Sequence, residues 1–383
     1  MDGDALNLQM VGPIRMLDAA EWDQLAGTNN PFVSHAFLAA LERGGAVGGN
    51  TGWEPAHIIL RGGDGQLMAA MPLYIKHHSY GEYIFDHSWA KAFEQAGGSY
   101  YPKLLSAVPF TPANGPRLLA RDNRADLKQA LAKELRNLVL QNNLSSAHIN
   151  FLHKSDAQLL SSNGWLVRSG IQFHWHNENY YDFDNFLTSL SSRKRKNIRK
   201  ERASVKNAGV RMLRLNGDEI TQQHIEQFYR FYLSTIDRKW GGAYLTHAVF
   251  EELRLTMADK MLLVMAEHNN RIIGGALNFI GEDTLFGRNW GADTDIPYLH
   301  FEACYYQAIE YAIKHGLIRV EAGAQGFHKV QRGYMPVTTY SAHYIAHNGL
   351  RTAVARFLKS ESQGVDHEIE LITRTSPFKA NNA

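Results

Sequence analysis

The run Glu321-Ala322-Gly323-Ala324-Gln325-Gly326-Phe327-His328-Lys329 gathers a carboxylate, an amide, an imidazole and an ammonium in one short stretch punctuated by two glycines. Such a set can run acyl transfer. A carboxylate takes the proton that an attacking ammonium must lose, while amide, imidazole or ammonium groups steady the oxyanion of a tetrahedral intermediate. Glycine lets backbone approach a ligand closely. Glu321 is therefore a candidate base, and Gln325, His328 and Lys329 are candidate oxyanion partners. Glu302 is a second candidate base, four residues before Tyr306 on one helix face, with Glu310 four further on. The plainer reading of these two helical carboxylates is ion pairing with Arg or Lys.

A second constellation is electrostatic. Arg193, Lys194, Arg195, Lys196, Arg199, Lys200 and Arg202 make seven cations in ten residues, offset only by Glu201. With Ser191 or Ser192 as helix cap, Arg195, Arg199 and Arg202 share a face. Like charges at helical spacing repel, so the run implies an anionic partner such as the phosphates of coenzyme A, of a tRNA or of a nucleotide-linked precursor. A solvated helix face is the alternative.

Other patterns carry less. Arg271-Ile272-Ile273-Gly274-Gly275-Ala276 fits a pyrophosphate-loop consensus, but it sits in a hairpin that runs into a strand, where no helix N-terminus can present free amides. Asp293–His300 (DTDIPYLH) does join a strand to a helix, yet it has no glycine run and two acids that repel a pyrophosphate. His174 and His176 share a strand face with Glu178 next in line, but among 18 histidines this spacing arises by chance, and no metal is expected. Cys304, set among aromatics, reads as core. There is no G-x-S-x-G, P-loop or H-E-x-x-H, which leaves hydrolase, kinase and zincin chemistry unsupported.

The elements that must position these groups emerge from the whole chain. Its 383 residues, 44% hydrophobic and 20% charged, suit two domains, or one large one, with a full core. Forty basic against 38 acidic residues exclude a generally basic nucleic-acid coat while permitting a local patch. One cysteine excludes an intrachain disulfide. Asp2 and Asp4 with no apolar run argue against a signal peptide, and Met68–Ile75 and Met261–Ala266 are too short to span a membrane. A cytoplasmic protein without integral membrane contact is expected, its oligomeric state left open.

Periodicity gives helices at Ser34–Glu42, with Ser34 as cap, and at Arg124–Gln141, Phe183–Leu190, Glu219–Arg238, Thr246–Met257 and Leu299–His315. Strands are expected at Trp53–Leu60, Gln66–Lys76, Ala147–Leu152, Trp165–Ser169, Gln172–Trp175, Val210–Leu215, Met261–Glu267, Arg271–Ile280, Thr284–Trp290 and Ile318–Ala322, with Tyr83–Asp86 extending the first sheet. Asn269-Asn270 is a hairpin turn. Helices, a hairpin, a further strand, a helix and a strand recur in both halves, with Ile58/Met71 and Leu263/Ile273 as matching hairpin pairs. This order predicts a duplicated α+β unit with its boundary near residues 170–182.

Two long segments carry a family likeness. L-S-S-R-K-R-K-N-I-R-K-E-R-A-S-V-K-N-A-G-V from Leu190 resembles the basic helix opening the second half of Fem-type transferases. Leu299–Pro336, through E-A-G-A-Q-G-F-H-K-V-Q-R-G-Y-M-P, looks like their central helix, following strand and basic-aromatic loop. With V-P-F-T-P-A-N-G-P-R-L-L at Val108–Leu119, nearly the whole chain resembles the FemAB-like predicted N-acyltransferases of peptidoglycan biosynthesis or recognition. The resemblance implies an α+β fold of tandem GNAT-like domains, taken as residues 1–175 and 176–383. It also implies transfer of an acyl or aminoacyl group from acyl-CoA or a charged tRNA to an amine acceptor, for which a peptidoglycan precursor is a candidate. The alternative is a recognition module for a cell-wall precursor or RNA, without catalysis. In Fem proteins the matching loop reads F-K-x-G-F with the Lys near the acyl carbonyl; alignment on Gly333-Tyr334 puts Gln331 there, and Lys329 two residues earlier. The expected catalytic set is Glu321, Glu302, Gln325 and Lys329, with Arg193, Arg195, Arg199, His328 and Tyr334 binding substrate.

Overall fold

Alternating apolar residues make sheets here and heptad-like spacing makes the helices that cover them. The structure, a computed structural model, describes residues 6–237, 242–324 and 326–379. The chain forms two compact units: Met1–Gly170, Tyr244–Val249 and Thr339–Asp366 in the first, Ile171–Ala243, Phe250–Thr338 and His367–Ala383 in the second.

In the first unit, Asn7–Val11, His57–Arg61, Leu67–Met71 and Leu119–Ala120 form an antiparallel sheet. Lys103–Ser106 runs parallel to Ser146–Leu152, with only Leu104, Leu105 and Ser106 in register with Ala147, His148 and Ile149. Helix Ala125–Gln141 buries Leu127, Leu131 and Leu135 in a core with Ile58, Met71 and Ile149. Ser34 caps His35–Arg43 through the Phe37 amide at 3.3 Å. Beneath this layer lies a polar cluster. Lys103 Nζ donates to Glu82 at 2.9 Å and to Asp86 at 2.5 Å, and the Nδ1 atoms of His148 and His343 are 2.7 Å apart. Tyr83–Asp86 is therefore not the expected strand: Tyr83 has φ +59°, and the segment turns Asp86 onto Lys103 beside Glu82.

In the second unit the elements are β1 (Leu166–His176, which begins in the first unit), α1 (Phe183–Ser189), α2 (Ser192–Asn207), β2 (Arg211–Asn216), α3 (Gln222–Asp237), β3 (Met261–His268), β4 (Arg271–Ile280) and β5 (Thr284–Ala292). After these come α4, built of Leu299–Phe301, a π turn Glu302–Tyr306 and Gln307–Lys314, and β6 (Arg319–Glu321). The strand order is β2-β3-β4-β5-β6-β1, antiparallel except for β5 and β6. Phe173, Trp175, Leu262, Val264, Leu285, Tyr306 and Val320 share its core. The two strands expected at 165–169 and 172–175 are one, β1.

The Asn269-Asn270 hairpin holds, both residues at positive φ as a tight primed turn requires. Arg271–Ala276 opens strand β4, with Gly274, Gly275 and Ala276 paired on both edges, as its context implied. The pairing Leu263/Ile273 does not hold: a bulge at Ala266/Glu267 leaves Ile273 unmatched and puts Leu263 opposite Leu277. Helix α3 lies so close on β5 that a Cβ at Gly291 would stand 2.0 Å from the Phe231 carbonyl oxygen. Thr284–Phe286 with Arg319–Glu321 and Leu104–Ser106 with Ala147–Ile149 are parallel pairs in register over three residues each. Among the described residues no helix is long and apolar enough to cross a membrane.

Candidate active site

Strands β5 and β6 are in register over Thr284/Arg319, Leu285/Val320 and Phe286/Glu321 and then part. Parting is helped by a bulge: Asn278 of β4 faces Gly287 while Leu277 faces Asn289, so Arg288 is the extra residue of the bulge and β5 turns away. A parted strand pair exposes backbone that an ordinary sheet would bond. Here it opens a cleft of about 230 Å³, walled by Asn278, Arg288, Asn289 and Trp290 on one side and by Ala322, His328 and Lys329 on the other, with His300, Cys304 and Tyr305 of α4 closing it.

Lys329 is the one buried cation among the described residues of this lining. Its Nζ donates to the carbonyl oxygens of Ala322 and, at 3.3 Å, of Gly323, where β6 has just ended. Burial disfavours its charged form and brings its pKa down to about 8. It is still an ammonium at neutral pH, but a weakly solvated one beside a gap.

His328 stands at the rim with Nε2 2.9 Å from the Tyr305 hydroxyl. Burial first, then the charges of Arg332 and Lys329, lower its pKa, so the ring is neutral at pH 7 and can take a proton. Burial raises that of the Tyr305 hydroxyl, which stays protonated. Gly326, at φ +103°, makes room for this ring: a Cβ there would lie 2.3 Å from His328 Cε1. Cys304 reaches the cleft wall, its thiol pushed up by burial and so unreactive as a thiolate.

The other expected residues lie elsewhere. Glu321 is buried at the point of parting, but its carboxylate is 3.8 Å from His174 Nε2 and 3.5 Å from Arg319 Nε and does not line the cleft. Burial, with the charge of Arg319 next, holds His174 down to about 3, so this partner is a neutral imidazole. Glu302 is occupied: Arg202 grips both its oxygens at 3.0 and 3.1 Å, and Gln307 donates to it at 2.6 Å. Arg202 also meets Glu310 at 3.1 Å, so both helical carboxylates serve as ion-pair partners. Tyr334 is fully buried and donates to the Tyr305 carbonyl at 3.3 Å, behind the wall and not on it. Gln325 lies outside the described residues.

Arg193, Arg195 and Arg199 stand on α2, away from the cleft lining. Arg199 pairs with Asp184 at 2.9 Å in the open. Among the described residues Arg193, Lys194, Arg195, Lys196 and Lys200 of α2 make no ion pair. The loop 293–298 between β5 and α4 carries Asp293 and Asp295, both exposed, and Arg271 lies 3.6 Å from Asp293. Among the described residues no three His, Cys, Asp or Glu side chains converge as a metal site.

Tyr305, Arg288, Asn289 and Asn278 were not singled out as site residues by sequence reasoning. One signal was there: Asn278 and the pair Arg288-Asn289 are polar residues inside otherwise apolar central strands, where only a cavity or a partner accommodates them.

The sequence matches the FemAB-like family, described as peptidoglycan biosynthesis/recognition, over residues 13–380. No curated protein matches it. Among solved structures it is similar to FemX (TM-score 0.56, 12% identity, 88% of this chain and 98% of that one). It is also similar to the C-terminal domain of a putative lysylphosphatidylglycerol synthetase from Agrobacterium fabrum (0.55, 9%, 90% and 95%). A third is L-PGS from Bacillus licheniformis (0.51, 12%, 83% and 93%). At such identities the likeness is one of fold alone.

Proposed function

The chain belongs to the FemAB-like family, described as peptidoglycan biosynthesis/recognition, and we propose that it is an acyl- or aminoacyl-transferase whose chemistry takes place where β5 and β6 part, with Lys329 and His328 as the working groups. The observation that carries this reading is the Lys329 ammonium held at the mouth of the parted strands by the Ala322 and Gly323 carbonyls. An acyl carbonyl placed there would have its oxygen near the buried cation of the cleft.

The step balances simply. The nitrogen of an acceptor amine attacks the carbonyl carbon, forming the C–N bond, and the oxygen takes the negative charge beside Lys329. The neutral His328 imidazole, bonded to Tyr305, accepts the ammonium proton. Collapse breaks the C–O bond of an ester donor, or the C–S bond of a thioester, and that proton returns through His328 and Tyr305 to the leaving oxygen or sulfur. Glu321 supports the strand end through His174 and Arg319.

Of the two donors, the site favours a charged tRNA. The strand-to-helix loop that would hold a coenzyme pyrophosphate carries Asp293 and Asp295, whereas the cations of α2 suit a long polyanion. A peptidoglycan precursor bearing a free amine is the proposed acceptor, and the cytoplasm, where charged tRNA is found, the proposed location. The test supplies purified protein with charged tRNA or acyl-CoA and an amine-bearing muramyl peptide, and tracks label into peptide by mass. Transfer from tRNA that is lost in K329A supports the proposal; transfer from acyl-CoA alone overturns the donor, and precursor binding without transfer from either makes the protein a recognition module.

A further inference from the structure

Glu201 is the only acid in the basic run of α2, and the structure gives it one use. Arg332 Nη2 donates to both its oxygens, at 2.9 and 2.8 Å. The same guanidinium donates from Nε to the Tyr306 hydroxyl at 2.9 Å and from Nη1 to the His328 carbonyl at 2.7 Å. Its Cζ lies 3.5 Å from the centre of the Phe301 ring, and the Tyr306 hydroxyl closes the circuit by donating to Glu201. The arginine is 6% exposed. Three elements therefore meet on one side chain: α2 through Glu201, the π turn of α4 through Tyr306, and the 3₁₀ turn Phe327–Arg332 that carries His328 and Lys329.

We propose that Arg332 is the positioning residue of the transfer site, holding the turn Phe327–Arg332 against α2 and α4 so that His328 and Lys329 face the parted strands. This rests on the reading of the cleft given above. The fork of donors explains why the residue is arginine: its four bonds leave from three separate nitrogens, whereas a lysine ammonium carries three donors on a single atom and cannot make them all. It also gives the basic helix a mechanical path to the site. A polyanion on Arg193, Lys194, Arg195 and Lys196 loads the same α2 whose Glu201 holds the turn, about two turns away along the helix.

The test does not need substrate. Lys329 is acylated with a small amine-reactive anhydride across a pH series, and its peptide is quantified by mass, with the titratable groups coupled to it (Cys304, His174 and His328) in view. In wild type half-modification falls near pH 8. In R332A the freed turn lets water reach the ammonium, and the midpoint moves by a unit or more toward the value of about 10.4 for an ordinary lysine; R332K restores it in part. Transfer by R332A falls about ten- to a hundredfold in kcat with acceptor KM little changed, as expected for a misplaced group. If R332A does not fold, Y306F and E201Q each remove one partner and must each give an intermediate shift. A midpoint that stays at wild-type pH in every folded variant overturns the proposal. A wild-type protein that transfers nothing while R332A still shifts Lys329 overturns the transfer reading and leaves the positioning role standing.

Discussion

His328 Nε2 and the Tyr305 hydroxyl, 23 residues apart, form a 2.9 Å hydrogen bond across the mouth of the cleft. It joins the loop after β6 to the π turn of α4, and it puts a neutral base in line with a proton-bearing hydroxyl. The first consequence is a pH profile. With both sides of the bond as described, kcat/KM rises as pH climbs through the depressed pKa of His328, below the ordinary 6.5. It falls as Lys329 loses its proton near 8. K329R keeps a cation at all accessible pH and should abolish the alkaline limb; K329A should lose about two orders of magnitude in kcat. An alkaline limb unchanged in K329R would assign it to another group.

Gly326 offers a local test of the same bond. G326A brings a Cβ to 2.3 Å from the His328 ring and strains the backbone at φ +103°, so the ring must leave Tyr305. Activity should fall at least tenfold, while the melting temperature changes by only a few degrees, as suits a loop at the rim. Kinetics and a thermal melt on one preparation settle it.

The carboxylates separate by role. E302Q leaves Arg202 with a weakened buried partner and should cost about 3 kcal/mol of stability, seen as a lower urea midpoint. Its kcat, measured well below the melt, should stay within a few-fold of wild type. E321Q acts at the parting of the strands, and a large loss of kcat there with unchanged donor binding would return Glu321 to the role of base.

Salt dependence tests α2. Arg193 and Arg195 make no ion pair among the described residues, so R193A/R195A should lower the slope of log K against log salt for tRNA by about 1.4 to 1.8. R199A should matter less because Asp184 already partners that side chain. A binding constant insensitive to salt would remove the polyanion from the scheme.

In the first unit, acid should be destabilising. Burial, with the Lys103 charge next, holds His148 down to about 3, and burial also lowers His343, so both rings are neutral when folded and one must donate to the other. The unfolded chain binds protons on these rings below about 6.5 while the folded one does not, so stability falls as pH drops through that value. Urea melts at pH 7 and 5 should differ, and the double variant H148Q/H343Q should flatten the difference.

Much of this was legible from residue types. The Glu321–Lys329 loop stood out because four functional groups and two glycines do not gather in a strand end for packing alone, and Lys329 and His328 do meet at the cleft. The basic run announced α2, and its lone acid marks where the helix is anchored. What could not be seen was rotation. A regular helix puts Glu302 and Tyr306 on one face, but the π turn inserts an extra residue. Glu302 then meets Arg202, Tyr306 meets Arg332, and Tyr305 and Cys304 take the cleft. Nothing in the residues Glu302-Ala303-Cys304-Tyr305-Tyr306 announces that geometry, since it is set by the side chains packed around it. The β5 bulge at Arg288 escaped for the same reason: a one-residue slip in register leaves no compositional trace.

The π turn also fixes chain length. Removing any one residue between Tyr298 and Gln307 would let the segment close into ordinary α-helix and turn the residues on its N-terminal side by about 100° relative to those on its C-terminal side. Tyr305 and the buried face of Gln307–Lys314 could then no longer both be in place. Substitutions along this stretch are graded in their effects, but a single-residue deletion is all or nothing. Spacing here is as much a part of the site as any side chain in it.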